Sequence, residues 1–266
     1  MPAIDPFDAE RPIVGMVHLQ PLPGAPGFDG DRGAIRERAL ADARALEAGG
    51  VDGLIVENFG DAPFYPEGVP AHVVSEMTAV AGELREAVEV PVGINVLRND
   101  AEAALAVAGA VGADVVRVNV HVGTAATDQG VLEGRAHETV RLRERVAPDV
   151  AILADVHVKH ASPVGDRGIE RAARETAERG LADGIVVSGP GTGEEAGVED
   201  VERVADALSE LDVPVFVGSG VTADTIGSVF EAGADGAIVG SVLERGGEAG
   251  NPVEEERVRE VVAARP

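Results

Sequence analysis

Short runs of apolar, often β-branched residues alternate with longer amphipathic stretches along the chain. The runs fall at 13–18, 53–58, 90–96, 115–121, 150–159, 184–188, 213–218 and 236–240. Between them, at about 31–48, 71–88, 100–111, 132–146, 168–179, 198–211, 223–231 and 252–264, apolar residues recur at helical spacing. Strand then helix, eight times over, predicts an α/β fold of the (β/α)₈ TIM-barrel type. The barrel is expected at about 12–264, after a short extension at 1–11, with 1–266 forming one domain. A doubly wound open sheet is the rival, but it needs fewer units and a nucleotide fingerprint that the chain does not carry.

The connections agree with a barrel. Those entering strands are short and begin with a glycine helix stop: Gly112-Ala113-Asp114, Gly180-Leu181-Ala182-Asp183 and Gly233-Ala234-Asp235. Those leaving strands are long and varied, at 19–30, 59–70, 122–131 and 189–197. In this fold the active site lies on the face that carries the long loops. A weak internal repeat relates Val90-Pro91-Val92 through Asp114 to Val213-Pro214-Val215 through Asp235, four strands apart, as a half-barrel duplication would place it.

Composition narrows the function classes. A net charge of −25 argues against general binding to nucleic acid or anionic membrane, while leaving room for a locally positive pocket. With lysine almost absent, it also points to a salt-adapted, halophilic setting. There is no cysteine, which removes disulfides, thiolate metal sites and a cysteine nucleophile. No signal-peptide pattern opens the chain and no apolar run is long enough to span a membrane, so a soluble, cytoplasmic protein is expected.

Of the 22 basic residues only Lys159 is lysine; the rest are arginine. Arginine is permanently charged, whereas a desolvated lysine can lose its proton and act as nucleophile or base. Lys159 ends the run Leu153-Ala154-Asp155-Val156-His157-Val158-Lys159-His160. Its bland reading is a buried ion-pair lysine, with Asp155 as partner. Strand alternation puts Asp155, His157 and Lys159 on one face, with Val156 and Val158 toward the helices, and aligns Arg117, Asn119 and His121 likewise. Asn95, Glu57, Asn58 and His18 complete a polar ring at the strand ends, where polar groups are costly unless paired or used. His18 reads as a ligand or base, or equally as a hydrogen-bonded core histidine; His72 and His137 read as surface residues.

Three chemistries fit this ring. Lys159 forms a Schiff base while Asp155 or Glu57 moves protons; or Lys159 acts as electrophile or acid while carboxylates drive enolisation; or Glu57, Asp155 and His157 hold a divalent metal such as magnesium. His157, Glu57, Asn95 and Asn119 would orient the substrate. A phosphate site is expected at Gly218-Ser219-Gly220 and Gly240-Ser241, after the seventh and eighth strands, where barrels commonly hold phosphate on backbone N–H groups. The alternative is that these glycines only make tight turns. The first two long loops hold four of the seven aromatics, Phe28, Phe59, Phe64 and Tyr65, which reads as a ligand wall or lid, or as a homo-oligomer contact.

The segment Ile13-Val14-Gly15-Met16-Val17-His18-Leu19-Gln20-Pro21-Leu22-Pro23-Gly24-Ala25-Pro26 resembles the opening of the BtpA family, also called SgcQ-like proteins. Further matches are Gly53-Leu54-Ile55-Val56-Glu57-Asn58-Phe59-Gly60-Asp61, Arg117-Val118-Asn119 and Asp155-Val156-His157-Val158-Lys159-His160, so that the resemblance runs from about 12 to 242. It implies a ribulose-phosphate-binding barrel. It also implies a non-catalytic alternative, an assembly or stability factor of the photosystem I biogenesis type. Against that alternative, the residues favour an enzyme on a small phosphorylated sugar or nucleoside-like metabolite, acting as a lyase or aldolase, by glycosidic cleavage, or as an isomerase.

The charge carries its own prediction. Self-repulsion at −25 is screened by salt, so folding is expected to need molar salt. A melting temperature that rises steeply with potassium chloride is the expected result; a cooperative transition at the same temperature in low salt would reject it.

Overall fold

The computed structural model describes residues 4, 6–165, 167–189, 191–194 and 196–266. In chain order the elements are β1 (Ile13–His18), α1 (Arg32–Gly49), β2 (Gly53–Glu57), α2 (Ala71–Ala87), β3 (Val92–Asn95), α3 (Ala101–Val111), β4 (Val115–Val118), β5 (Thr124–Thr127) and β6 (Gly130–Glu133). They continue with α4 (Ala136–Val146), β7 (Ala151–Val156), β8 (Ala161–Pro163), α5 (Ile169–Arg174), β9 (Gly184–Ser188), α6 (Val198–Leu208), β10 (Val215–Gly218), α7 (Ile226–Glu231), β11 (Gly236–Val239) and α8 (Glu255–Ala263). Eight strands close a parallel barrel in the order β1-β11-β10-β9-β7-β4-β3-β2, which is the expected TIM barrel.

Two apolar layers follow from the strand alternation. Residues facing outward pack against the helices in the larger core, with Leu46, Met77 and Leu84 fully buried there. Residues facing inward fill the barrel: Val14, Met16, Ile55, Val115, Leu153, Val186, Phe216 and Ile238. Phe7 closes the end where strands begin, edge-on to Phe216 at 5.8 Å. Above this filling the inward positions turn polar, and they are the ends of the same strands.

The strand-entry turns do more than stop helices. Asp52, Asp114, Asp183 and Asp235 precede β2, β4, β9 and β11, the second, fourth, sixth and eighth barrel strands, and each side chain accepts from an N–H at the start of the barrel strand before it. The partners are Ile13, Val92, Ile152 and Val215, at 2.8, 2.9, 2.8 and 2.8 Å. Each Asp N–H also donates back to that same residue's carbonyl, at 2.7–2.9 Å. One side chain thus staples each consecutive pair of barrel strands. Asp183 additionally binds the buried Arg143 at 2.6 Å.

Three sequence expectations change. The stretch 132–146 is not one helix: Leu132 lies in β6, and α4 starts at Ala136. The turn Asp128-Gln129-Gly130, with Gly130 at φ 112°, folds β5 back on β6, and β8 pairs on the other side of β5 in a small antiparallel sheet. The run 150–159 is extended only to Val156, because His157 takes φ 51° and breaks the pleat. Val158 therefore packs with Val120, Ala125 and Leu132 under the small sheet rather than against the helices. The run 115–121 stops at Val118, and His121 turns away from Arg117 and Asn119 to bond the Gly180 carbonyl at 2.9 Å. Burial lowers the His121 pKa.

The staples separate in strength. Asp114→Ala removes a charge-assisted bond at a half-buried site and is expected to cost about 1.5–3 kcal/mol of unfolding free energy. Asp183→Ala also strands the Arg143 guanidinium, and is expected to cost about 3–5 kcal/mol. Denaturant unfolding of both variants measures the difference; equal losses would show that the Arg143 pair adds nothing.

Candidate active site

The polar layer at the strand ends is organised around one carboxylate. Arg117, inward on β4, donates to both oxygens of Asp155 on β7, from Nε at 3.0 Å and Nη2 at 2.8 Å. Asn119 donates to Asp155 at 2.9 Å, and the Ser188 hydroxyl of β9 donates to it at 2.9 Å. Asn95 on β3 donates to the Arg117 carbonyl at 3.0 Å and to Asn119 Oδ1 at 3.3 Å. Burial pulls the Arg117 pKa down, but the charge and hydrogen bonds of Asp155 outweigh it and raise the value. With four bonds on its two oxygens, Asp155 has little left for a proton in flight. Gly218 lies against this network, where a Cβ would make only ordinary contact with Arg117 Nη2 at 3.5 Å.

A second group of acids surrounds His18 at the end of β1. Its Nδ1 lies 2.5 Å from Glu244 Oε1, and its Nε2 lies 3.8 Å from Glu57 Oε1. Its ring packs on Phe59 at 4.6 Å, which ties the second long loop to the end of β1. Glu57 Oε1 and Glu244 Oε2 are buried without a hydrogen-bond partner among the described residues. Asn58 is spent on the chain itself: its Oδ1 accepts from Leu97 N–H at 2.7 Å and its amide donates to Asp61 at 3.1 Å.

Beyond His157 the chain brings Lys159 back over the mouth. Lys159 lines a cavity of about 210 Å³ with Met16, His18, Arg117, Ser219, Gly220, Gly240 and Ser241. Burial lowers its pKa; Glu57 and Asp155 push it back up, while Arg117 and Arg98 oppose them. Among the described residues, no hydrogen bond or ion pair engages its ammonium. The loop is fixed by Arg98, whose Nη2 donates to the Lys159 carbonyl at 2.6 Å, and by His160, which meets Thr192 at 3.0 Å.

Opposite Lys159 lie the glycine loops. Ser219 and Gly220 take consecutive left-handed conformations, φ 70° and 68°, and Ser241 opens a short 3₁₀ turn after Gly240. No hydrogen bond within the described residues engages the N–H of Ser219, Gly220 or Ser241, or the two serine hydroxyls. Gly240 is tight for another reason as well, because a Cβ there would meet His18 Cε1 at 3.0 Å. Loop six adds Thr192 and Gly193 to the cavity wall; its Pro190 and Glu195 lie outside the described residues.

The structure thus brings together Lys159, Glu57, His18, Arg117, Ser219, Gly220, Gly240 and Ser241. His157 does not join them. Its turn directs it into a separate pocket with Arg167, Glu175 and Thr176, on the far side of Asp155. The suggested metal set of Glu57, Asp155 and His157 therefore does not converge, and among the described residues no three His, Asp or Glu side chains are grouped to hold a metal. Arg98, Ser188, Thr192 and Glu244 went unrecognised in the sequence. Ser188 was within reach, as the last inward position of a predicted strand; the other three sit in loops whose course the pattern does not encode.

The chain matches the BtpA family over residues 9–265. It belongs to that family. The photosystem I biogenesis protein BtpA of Synechocystis sp. is 50% identical over 97% of this chain and 89% of its own length. An uncharacterized protein of Thermococcus kodakarensis is 48% identical over 96% of both chains, and an uncharacterized mitochondrial protein of Caenorhabditis elegans is 32% identical over 95% of this chain and 92% of its own. Among solved structures, thiamine phosphate pyrophosphorylase from Pyrococcus furiosus superposes with a TM-score of 0.58 at 18% identity, covering 96% of this chain and 94% of that one. N-(5'-phosphoribosyl)anthranilate isomerase from the same organism gives 0.58 at 14% identity, covering 96% and 98%. At such identities these likenesses concern the barrel alone. Among the described residues of this BtpA-family chain, no helix is long and apolar enough to cross a membrane.

The Asp155 network predicts a stability role. Asp155→Ala leaves the buried Arg117 charge without its counter-ion and is expected to cost about 3–5 kcal/mol in denaturant unfolding. A loss below about 1 kcal/mol would mean that water or a neighbour takes over the guanidinium.

Proposed function

We propose that this protein is an enzyme acting on a small phosphorylated sugar or nucleoside-like metabolite. The observation that carries the reading is Lys159: a desolvated, unengaged ammonium facing a cavity whose opposite wall offers unengaged backbone N–H groups at Ser219, Gly220 and Ser241. A phosphate on that wall would place the carbon skeleton beneath the amine. Both structural neighbours named above have a phosphorylated small molecule in their names, which is consistent with a phosphate at this end of the barrel.

The favoured chemistry is at a carbonyl. The neutral Lys159 amine attacks the carbonyl carbon, and loss of water gives a C=N bond. The iminium draws electrons from the adjacent carbon, and Glu57, with a buried unpaired oxygen, takes the proton released there. Return of that proton to the opposite face of the same carbon epimerises the sugar; in the cleaving version Glu57 instead takes the β-hydroxyl proton as the carbon–carbon bond breaks and returns it to the enamine carbon, and in both versions water hydrolyses the C=N bond and frees Lys159. Asp155 holds Arg117 and Asn119 rather than moving protons, and Asn95 holds Asn119.

A second reading, an assembly factor without turnover, is favoured by one observation: the 50% identical Synechocystis relative is named for photosystem I biogenesis. The two separate on ligands. A thermal-shift panel of sugar phosphates and nucleotides, with inorganic phosphate as control, stabilises an enzyme by about 2.7 kcal/mol at a hundredfold excess over Kd. Absence of any shift would favour the assembly reading.

Because Lys159 is the chain's single lysine, its ε-amine shares amine reactivity with the N-terminal α-amine alone, and peptide mapping of the labelled chain separates the two. Its reaction with trinitrobenzenesulfonate is expected to have a pH midpoint below the ordinary lysine value of 10.5, since burial disfavours the ammonium. Borohydride added with a stabilising sugar phosphate should leave a reduced adduct on Lys159, and Lys159→Arg should fold but lose turnover. A stabilising ligand that gives no adduct would exclude the C=N step, and full activity in Lys159→Arg would remove the lysine from the chemistry.

A further inference from the structure

Arg98 is a second cation beside Lys159, bonded to its carbonyl and acting on its charge, and the reading above leaves it unused. It sits just after β3 and is only 3% exposed. Of its five N–H donors, the structure engages one, on the Lys159 carbonyl. No other hydrogen bond or ion pair reaches its side chain among the described residues. Its remaining nitrogens are nevertheless not sealed in, for none is among the buried polar atoms left without a partner. The charges acting on it are those of Asp155, Glu57, Asp128 and Arg117. Asp155 is already saturated by Arg117, Asn119 and Ser188, and Glu57 makes no ion pair with Arg98. A buried guanidinium without a carboxylate is costly, and its planar fork fits a carboxylate in two parallel bonds.

We propose that the substrate carries two anionic ends, a phosphate on the Ser219, Gly220 and Ser241 wall and a carboxylate on Arg98. This rests on the phosphate reading of the cavity and narrows it to phosphorylated hydroxy or keto acids. Lys159, whose carbonyl Arg98 holds, then lies between the two anions, beside the carbon that reacts.

Glycerol 3-phosphate and 3-phosphoglycerate test this, since they share the phosphate and differ by an alcohol against a carboxylate. Calorimetric titration of the full chain is expected to show 3-phosphoglycerate binding roughly tenfold tighter or better. Arg98→Met should erase that preference and leave glycerol 3-phosphate affinity unchanged, while Arg98→Lys restores part of it. Ser241→Asp should weaken both probes alike. Equal binding of the two probes by the unaltered protein would overturn the inference. So would a parallel loss of both in Arg98→Met that Arg98→Lys fully rescues, which is the behaviour of a mere staple on the Lys159 loop. In either case the phosphate reading stands. If neither probe binds the unaltered protein, the phosphate reading fails and this inference falls with it.

Discussion

The buried pair between Arg117 and Asp155 is the constraint on which the mouth of this barrel depends. Two charges removed from water are tolerable only when nearly every lone pair and proton is met. Asn119 and Ser188 complete the set, and Asn95 fixes Asn119 in turn. The network crosses β3, β4, β7 and β9, so it holds four consecutive strand ends in one geometry. It also sorts the polar ring. Groups inside the network are committed to each other, and those outside it, Lys159, Glu57 and Arg98, keep unspent charge or hydrogen-bonding capacity. A ring of similar-looking polar residues thus divides into a committed frame and a set of uncommitted groups, by hydrogen-bond commitment rather than residue type.

The opposite end of the barrel is built on repetition. Asp52, Asp114, Asp183 and Asp235 staple the strands in pairs by the same two bonds each time. Nothing at the mouth repeats in this way. The repetitive end supplies register and the irregular end carries the candidate site, a division that lets the long loops diverge while the barrel stays closed.

Much of the barrel was legible because period-two and period-3.6 patterns report burial directly. The strands 13–18 and 184–188 coincide with β1 and β9, and the inward side chains Glu57, Asn95, Arg117 and Asp155 lie where alternation put them. The pattern failed where the pleat ended. A left-handed His157 swung that imidazole out of the ring, although its neighbours in sequence, Asp155 and Lys159, both serve the mouth. The hairpin of β5 and β6 fell mostly within the stretch read as the loop 122–131, and its last residues, Leu132 and Glu133, were read into the helix because so short a run matches either period. The half-barrel repeat between 90–114 and 213–235 was visible, but its finer two-strand unit was not. The first copy reads Gly50-Val51-Asp52, and the third carries Leu181 where the others carry glycine or its neighbour. Arg98 and Glu244 left no trace, since what distinguishes them is a burial that only the folded loops create.

The cradle formed by Ser219, Gly220 and Ser241 offers peptide dipoles and hydroxyls in place of formal charge. A pocket of ammonium or guanidinium groups in brine fills with chloride, and every ligand must displace it. Peptide dipoles locked in left-handed turns attract no such counter-ion cloud, and they favour an anion whose several oxygens match their contour over a spherical halide. An anion held at this wall, as proposed, would therefore be selected there by the contour of its oxygens, leaving the charge of Lys159 across the cavity to set how far salt matters.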